Sequence, residues 1–218
     1  MLKQFCALLF LFLFVSPLAL AEGYQVESIG ALTETKVAEA MRGALEEKGL
    51  RVTDGQGKVV CEIWLRKEVP TAGEEVAGAL FAQIGEGTFT GVIHFPGQGG
   101  DYRGQGLKAG WYTMRYSLIL QDGNHQGVSP TRDFFLLSPV AEDTDPNKAI
   151  SFDDLMKLSR TAAGTGHPSS WSLVQATDEK NLPRIVTNEH HHVIVETKMS
   201  IKGGSLAIGL IVVGKTEG

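Results

Sequence analysis

The sequence predicts a mostly β protein with two short helices, built as an antiparallel β-sandwich, and three observations predict it. About eight segments alternate apolar and polar side chains with the period of two that a half-buried strand requires. Only two stretches carry the spacing of an amphipathic helix. Glycine-rich turns such as PGQGGDYRGQGLKAG separate the segments. Strands that outnumber helices in this way favour sheets packed face to face.

The first 21 residues are expected to lie outside the fold. Lys3 gives a short basic start, FCALLFLFLFV is an apolar core, and Ala19-Leu20-Ala21 is a small-x-small cleavage pattern. Together they read as a secretory signal peptide, which makes Glu22 to Gly218 a single exported β-rich domain, secreted or periplasmic. Residues 22–85 could form a small helix-containing lobe of it. The later apolar run LAIGLIVVG suits a buried strand, so no membrane span is expected after cleavage.

Along the mature chain, GYQVESIG can form a short strand. Thr33 can cap a helix over residues 34–48, with Val37, Met41, Ala44 and Leu45 on one face and Gly49 as the stop. Residues 50–69 read as two strands joined by the turn Asp54-Gly55-Gln56-Gly57. In the second of these, Val59, Cys61, Ile63 and Leu65 share a face. PTAGEEVAGALFAQIGEG fits either a glycine-interrupted helix or a loop with two apolar patches.

TFTGVIHF is a strand that sets Phe89, Gly91, Ile93 and Phe95 against Thr90, Val92 and His94. From Trp111 to Leu120 the alternation is clearest: Tyr112, Met114, Tyr116, Leu118 and Leu120 on one face, with Trp111, Thr113, Arg115, Ser117 and Ile119 on the other. DFFLLS follows as a strand. A helix begins near Ser151, whose S-x-x-D spacing to Asp154 is a capping box, and TAAGTGHPSS ends it. WSLVQA, HHVIVETKMSI and SLAIGLIVVG complete the strands.

Charge and cysteine content exclude some classes of function. Twenty Lys and Arg oppose 25 Asp and Glu, a net charge of −5, and nothing resembles a phosphate-tracking surface, so nucleic acid is not expected as a partner. With Cys6 in the leader, Cys61 is left without an intramolecular disulfide partner. It falls among aliphatic residues, where a thiol behaves as a small hydrophobe rather than a nucleophile.

The runs LKAGWYTMRYSLILQDGNHQGVSPTRDFFLLSP and GTGHPSSWSL resemble a family of uncharacterised secreted bacterial proteins, over most of the mature chain. The resemblance implies export and a β-rich fold. It brings no activity, cofactor or catalytic residue.

Three constellations carry candidate chemistry. The first is the connection after the strand ending at Leu120, where Asp122, Asn124, His125, Arg132 and Asp133 could bind a ligand. Polar connections on firm strands are where binding groups gather. In the competing reading Asp122 and Asn124 only make the turn, and Arg132 and Asp133 pair with neighbours. The second is NEHHHVIVE, where strand alternation would aim His190 and His192 to one side. With His125 or His167 they could hold zinc or copper, or they could simply face water.

The third is DTDPNKAISFDD, in which Asp143, Asp145, Asn147 and Asp154 fall at calcium-loop positions. Lys148 replaces the glycine such a loop needs, Pro146 stiffens it and Asp154 is short for a bidentate ligand. These acidic residues equally suit the start of the helix capped by Ser151.

No G-x-S-x-G elbow or phosphate loop is present. Trp64, Trp111 and Trp171 could stack on sugars or cover core edges. The expectation is therefore a non-enzymatic exported protein without a cofactor, binding a small molecule, glycan or protein. The alternative is a zinc- or copper-binding protein or metal-dependent hydrolase built on the His-x-His pair.

Overall fold

Sequential hairpins pair edge to edge into a ten-stranded sheet, antiparallel throughout. The computed structural model describes residues 23–71, 75–102, 104–121 and 129–214. In spatial order the sheet runs β1 (Gln25–Ile29), β2 (Gly49–Thr53), β3 (Val59–Leu65), β4 (Phe89–Phe95), β7 (Gly110–Leu118), β8 (Asp133–Pro139), β9 (Ser170–Gln175), β12 (Gly204–Val213), β11 (Val193–Ile201) and β10 (Arg184–Thr187). Two short strands, β5 (Gly99–Gly100) and β6 (Gly106–Leu107), make a separate hairpin. The helices are α1 (Glu39–Gly43) and α2 (Phe152–Ala163).

The expected sandwich of two facing sheets is replaced by one sheet that curls nearly into a barrel, its outermost strands β1 and β10 coming into contact. Alternation specifies one buried face per strand but not whether those faces meet across two sheets or inside one. Beyond β3 the chain is tied to the far side of the sheet: Val69 N–H donates to the Ser200 carbonyl and Lys202 N–H donates to the Val69 carbonyl. Strands β1 to β3 thus belong to the same sheet as the rest.

The inner face is the main core. Cys61, Ile63 and Leu65 of β3, Tyr112, Met114 and Tyr116 of β7, Phe135 and Leu137 of β8, and Trp171 and Leu173 of β9 meet there. Burial pushes the Cys61 thiol well above its ordinary pKa, as expected for a structural cysteine. Residues 75–88 close one end of the curl through Phe81 and Ile84, while Leu107 enters the core from the β5–β6 hairpin. Because strands alternate in direction, the β7–β8 and β10–β11 connections lie at opposite ends.

Several elements differ from expectation for identifiable reasons. The first helix shrinks to the five residues of α1, without a side-chain cap at Ala38, and Gly49 opens β2 rather than ending a helix. Val37, Met41 and Leu45 still bury, against Trp64 and Val92 on the outer face. A bulge between Phe89 and Gly91 turns Phe89 outward, away from Ile93 and Phe95. Gly91 is required there, since a Cβ would come within 2.4 Å of the Trp64 carbonyl oxygen.

Strand β11 starts at Val193, not at the histidines, and β10 is an element that the sequence pattern does not announce. No helix among the described residues is long and apolar enough to cross a membrane.

Candidate functional site

The outer face of the sheet is covered unevenly, and a cleft opens where α2 leaves it partly bare. Ser151 caps α2, its hydroxyl accepting from Asp154 N–H, and Gly164 ends it in the left-handed region at φ 64°. Leu155 is buried against Phe134 and Leu136 of β8, and the Ser159 hydroxyl donates to the Ser169 carbonyl while accepting from Ser169 N–H. These contacts hold the helix on the sheet along one stripe. The adjacent stripe, Phe152, Met156 and Arg160, faces a cleft of about 440 Å³. That volume lies within the roughly 300–1,000 Å³ range of small-ligand sites.

Its apolar lining comes from Phe134 and Ile119 on the sheet side and Met156 and Phe152 on the helix side, among polar and charged side chains. Half-exposed Leu120 borders the cleft. The hydroxyls of Ser129 and Ser172 bond each other at 2.8 Å beside it, and Ser170 also lines it. Among the described residues three charged side chains line it: Asp153, Lys157 and Arg160. Lys157 makes a solvent-exposed pair with Asp154 at 3.3 Å, worth little. The Ser151 hydroxyl and Lys157 hold the Asp154 carboxyl below its ordinary range. Among the described residues the Arg160 guanidinium has no side-chain partner.

Of the connection after β7, Asp122, Asn124 and His125 lie outside the described residues. Arg132 and Asp133 are present and bound inwards. Arg132 donates to the Ile119 carbonyl from Nε and Nη2, at 3.3 and 3.1 Å, and to the Ala77 carbonyl from Nη1. Asp133 is fully buried; Oδ2 accepts from Leu80 N–H at 2.9 Å, and Oδ1 accepts from Phe81 N–H at 3.0 Å and from the Tyr116 hydroxyl. Burial, followed by the bond to Asp133, raises the Tyr116 pKa. The two residues clasp the segment that closes this end of the curl.

His190 and His192 do not alternate along a strand. They sit in a turn organised by Asn188, whose side-chain oxygen accepts from the N–H groups of both, with His191 at φ 59°. Their ring centroids are 5.8 Å apart, and buried His192 packs on Tyr102 at 4.8 Å. This turn is at the end opposite the strand termini that flank His125. His167 is exposed and borders the α2 cleft. Among the described residues no three His, Cys, Asp or Glu side chains gather within metal-binding range.

The calcium-loop positions are dispersed among separate partners. Asp143 is buried and takes Arg115 Nε and Nη2, both at 2.7 Å, and the Thr113 hydroxyl at 2.6 Å. Asp145 accepts from Asn147 N–H, and the Asn147 side chain accepts from Arg66. Asp154 belongs to the helix cap. The tryptophans also divide: Trp171 is inside the curl, Trp64 is buried outside it and donates to the Gly30 carbonyl, and half-buried Trp111 stacks on His94 at 3.9 Å.

Glu196 makes a further buried cluster. Burial pushes its carboxyl up, but the N–H and hydroxyl of Thr177 and the Arg184 guanidinium outweigh this and hold it below the ordinary value. A depressed carboxylate contributes stability above its unfolded pKa of about 4.3 that is lost as pH falls through the folded value. Glu196→Gln is therefore expected to flatten the loss of stability below about pH 4.3. Urea midpoints from pH 7 to 3 check this; an unchanged acid limb would refute it.

Sequence reasoning missed the α2 cleft. Its signal was the stripe Phe152, Met156, Arg160, beside the Leu155 stripe that binds the sheet. No family model matches the chain, no curated protein matches it, and no solved structure does.

Proposed function

We propose that this is an exported, non-enzymatic protein that holds a small, largely apolar ligand in the cleft between α2 and strands β7 to β9. The observation that carries the reading is the cleft itself, which is lined by apolar side chains together with hydroxyls and charges. That is the usual make-up of a ligand site, where apolar area supplies affinity and sparse polar groups supply orientation. The leader-like first 21 residues and the absence of a recognisable catalytic motif support the exported and non-enzymatic parts.

The test is a titration with the neutral fluorescent probe N-phenyl-1-naphthylamine. Saturable binding to the purified protein is expected, and Met156→Trp, which fills the cleft from a partly exposed helix position, should weaken it about tenfold with Tm unchanged. Equal binding by the variant, or none by the unsubstituted protein, overturns the site.

A further inference from the structure

We infer that the ligand is a single-chain amphiphile with an anionic head, its tail lying over Ile119, Phe134 and Met156 and its head against Lys157 and Arg160. The inference rests on the cleft being a ligand site and adds the chemistry of its occupant. Three facts lead to it. Apolar side chains line the cleft from both sides, Phe152 and Met156 on the helix and Ile119, Leu120 and Phe134 opposite. Such facing apolar side chains suit the tail of an amphiphile.

The charges are also sorted along α2. Asp153 is in its first turn, whereas Lys157 and Arg160 follow toward its carboxyl end, Arg160 about 10 Å beyond Asp153 along the axis. Among the described residues both cations thus lie on the carboxyl-terminal side of the lining anion, Lys157 at mid-helix and Arg160 in the last turn. The helix carboxyl end adds about half a negative charge, which two full cations outweigh. Finally, Arg160 has no side-chain acceptor among the described residues, and the Lys157 pair with Asp154 is exposed and readily exchanged. Both cations are available to a head group. A carboxylate or sulfate can accept from a guanidinium through two oxygens, which fixes the orientation of the chain.

Displacement of N-phenyl-1-naphthylamine by dodecanoate, dodecanol and dodecyltrimethylammonium, each below its aggregation concentration, tests this. Dodecanoate should bind about tenfold tighter than dodecanol, the cation should bind weakest, and the preference should vanish in the Lys157→Gln/Arg160→Gln double variant. Among octanoate, decanoate and dodecanoate, affinity should rise about fourfold per methylene.

Equal affinity for dodecanoate and dodecanol overturns the anionic head while leaving the cleft as a site. Displacement without dependence on chain length overturns the chain. If none of the three displaces a dye that binds, the amphiphile is wrong although the cleft stands; if the dye itself does not bind, the site fails with it. Protein that sediments with phosphatidylglycerol vesicles but ignores soluble dodecanoate overturns capture from solution.

Discussion

Asp143→Ala is expected to destabilise the protein by about 3–5 kcal/mol, among the largest effects of any single substitution. The guanidinium of Arg115 is buried on the outer face of β7 and, among the described residues, receives its counter-charge from Asp143. Its remaining donors go to the carbonyls of Gly87, Asp145 and Lys148. Deleting the carboxylate leaves a desolvated cation and only the longer 3.4 Å bond to the Ser138 carbonyl for the Thr113 hydroxyl, and it releases the 140–150 segment. A pair replacement such as Arg115→Met with Asp143→Leu should recover part of the loss, because an apolar pair needs no desolvation of charge. Recovery stays incomplete, since the three carbonyls lose the Arg115 donor and, among the described residues, only that of Asp145 keeps another, the Lys148 N–H. Urea unfolding with an unchanged m value measures both effects; a loss below about 1 kcal/mol for Asp143→Ala would falsify the account.

The second large effect is expected at the clasp. Asp133→Ala removes the acceptor for Leu80 N–H, Phe81 N–H and the Tyr116 hydroxyl together, a loss of about 3–4 kcal/mol by the usual cost of stranding buried donors. Tyr116→Phe removes one of the three bonds and leaves the carboxylate with its two amides, so about 1–2 kcal/mol is expected. The two substitutions also separate by location. With Asp133→Ala the Leu80 and Phe81 amides should lose hydrogen-exchange protection before the β7 and β8 amides do, as the 75–84 segment lifts from the end of the curl. Protection lost uniformly across the sheet would mean that Asp133 is not a local clasp.

Much of the fold can be read from the chain where a strand's own alternation decides burial. Tyr112, Met114 and Tyr116 point inward because the pattern allows no other arrangement, and Asp54 to Gly57 make the turn their identities require. What eluded the sequence is what distant segments decide. Arg115 reads as a solvent-facing residue until Asp143, on a later loop, covers it. Phe89 faces outward because of a bulge that pairing with β7 creates. Arg132 and Asp133 look like binding groups in a polar connection; their partners, Ala77, Leu80 and Phe81, lie in a stretch that resembled either helix or loop. The cleft has the same character, since α2 supplies a visible stripe but β8 supplies the floor.

Cys61, on β3, is the one free thiol among the described residues, and no part of it reaches solvent. An alkylating reagent can meet that sulfur only when the inner face of the sheet is laid open. Under native conditions each alkylated molecule therefore records one excursion to an open form, and the rate of uptake reports how often the curl opens. The protein carries its own reporter of such openings without an engineered label.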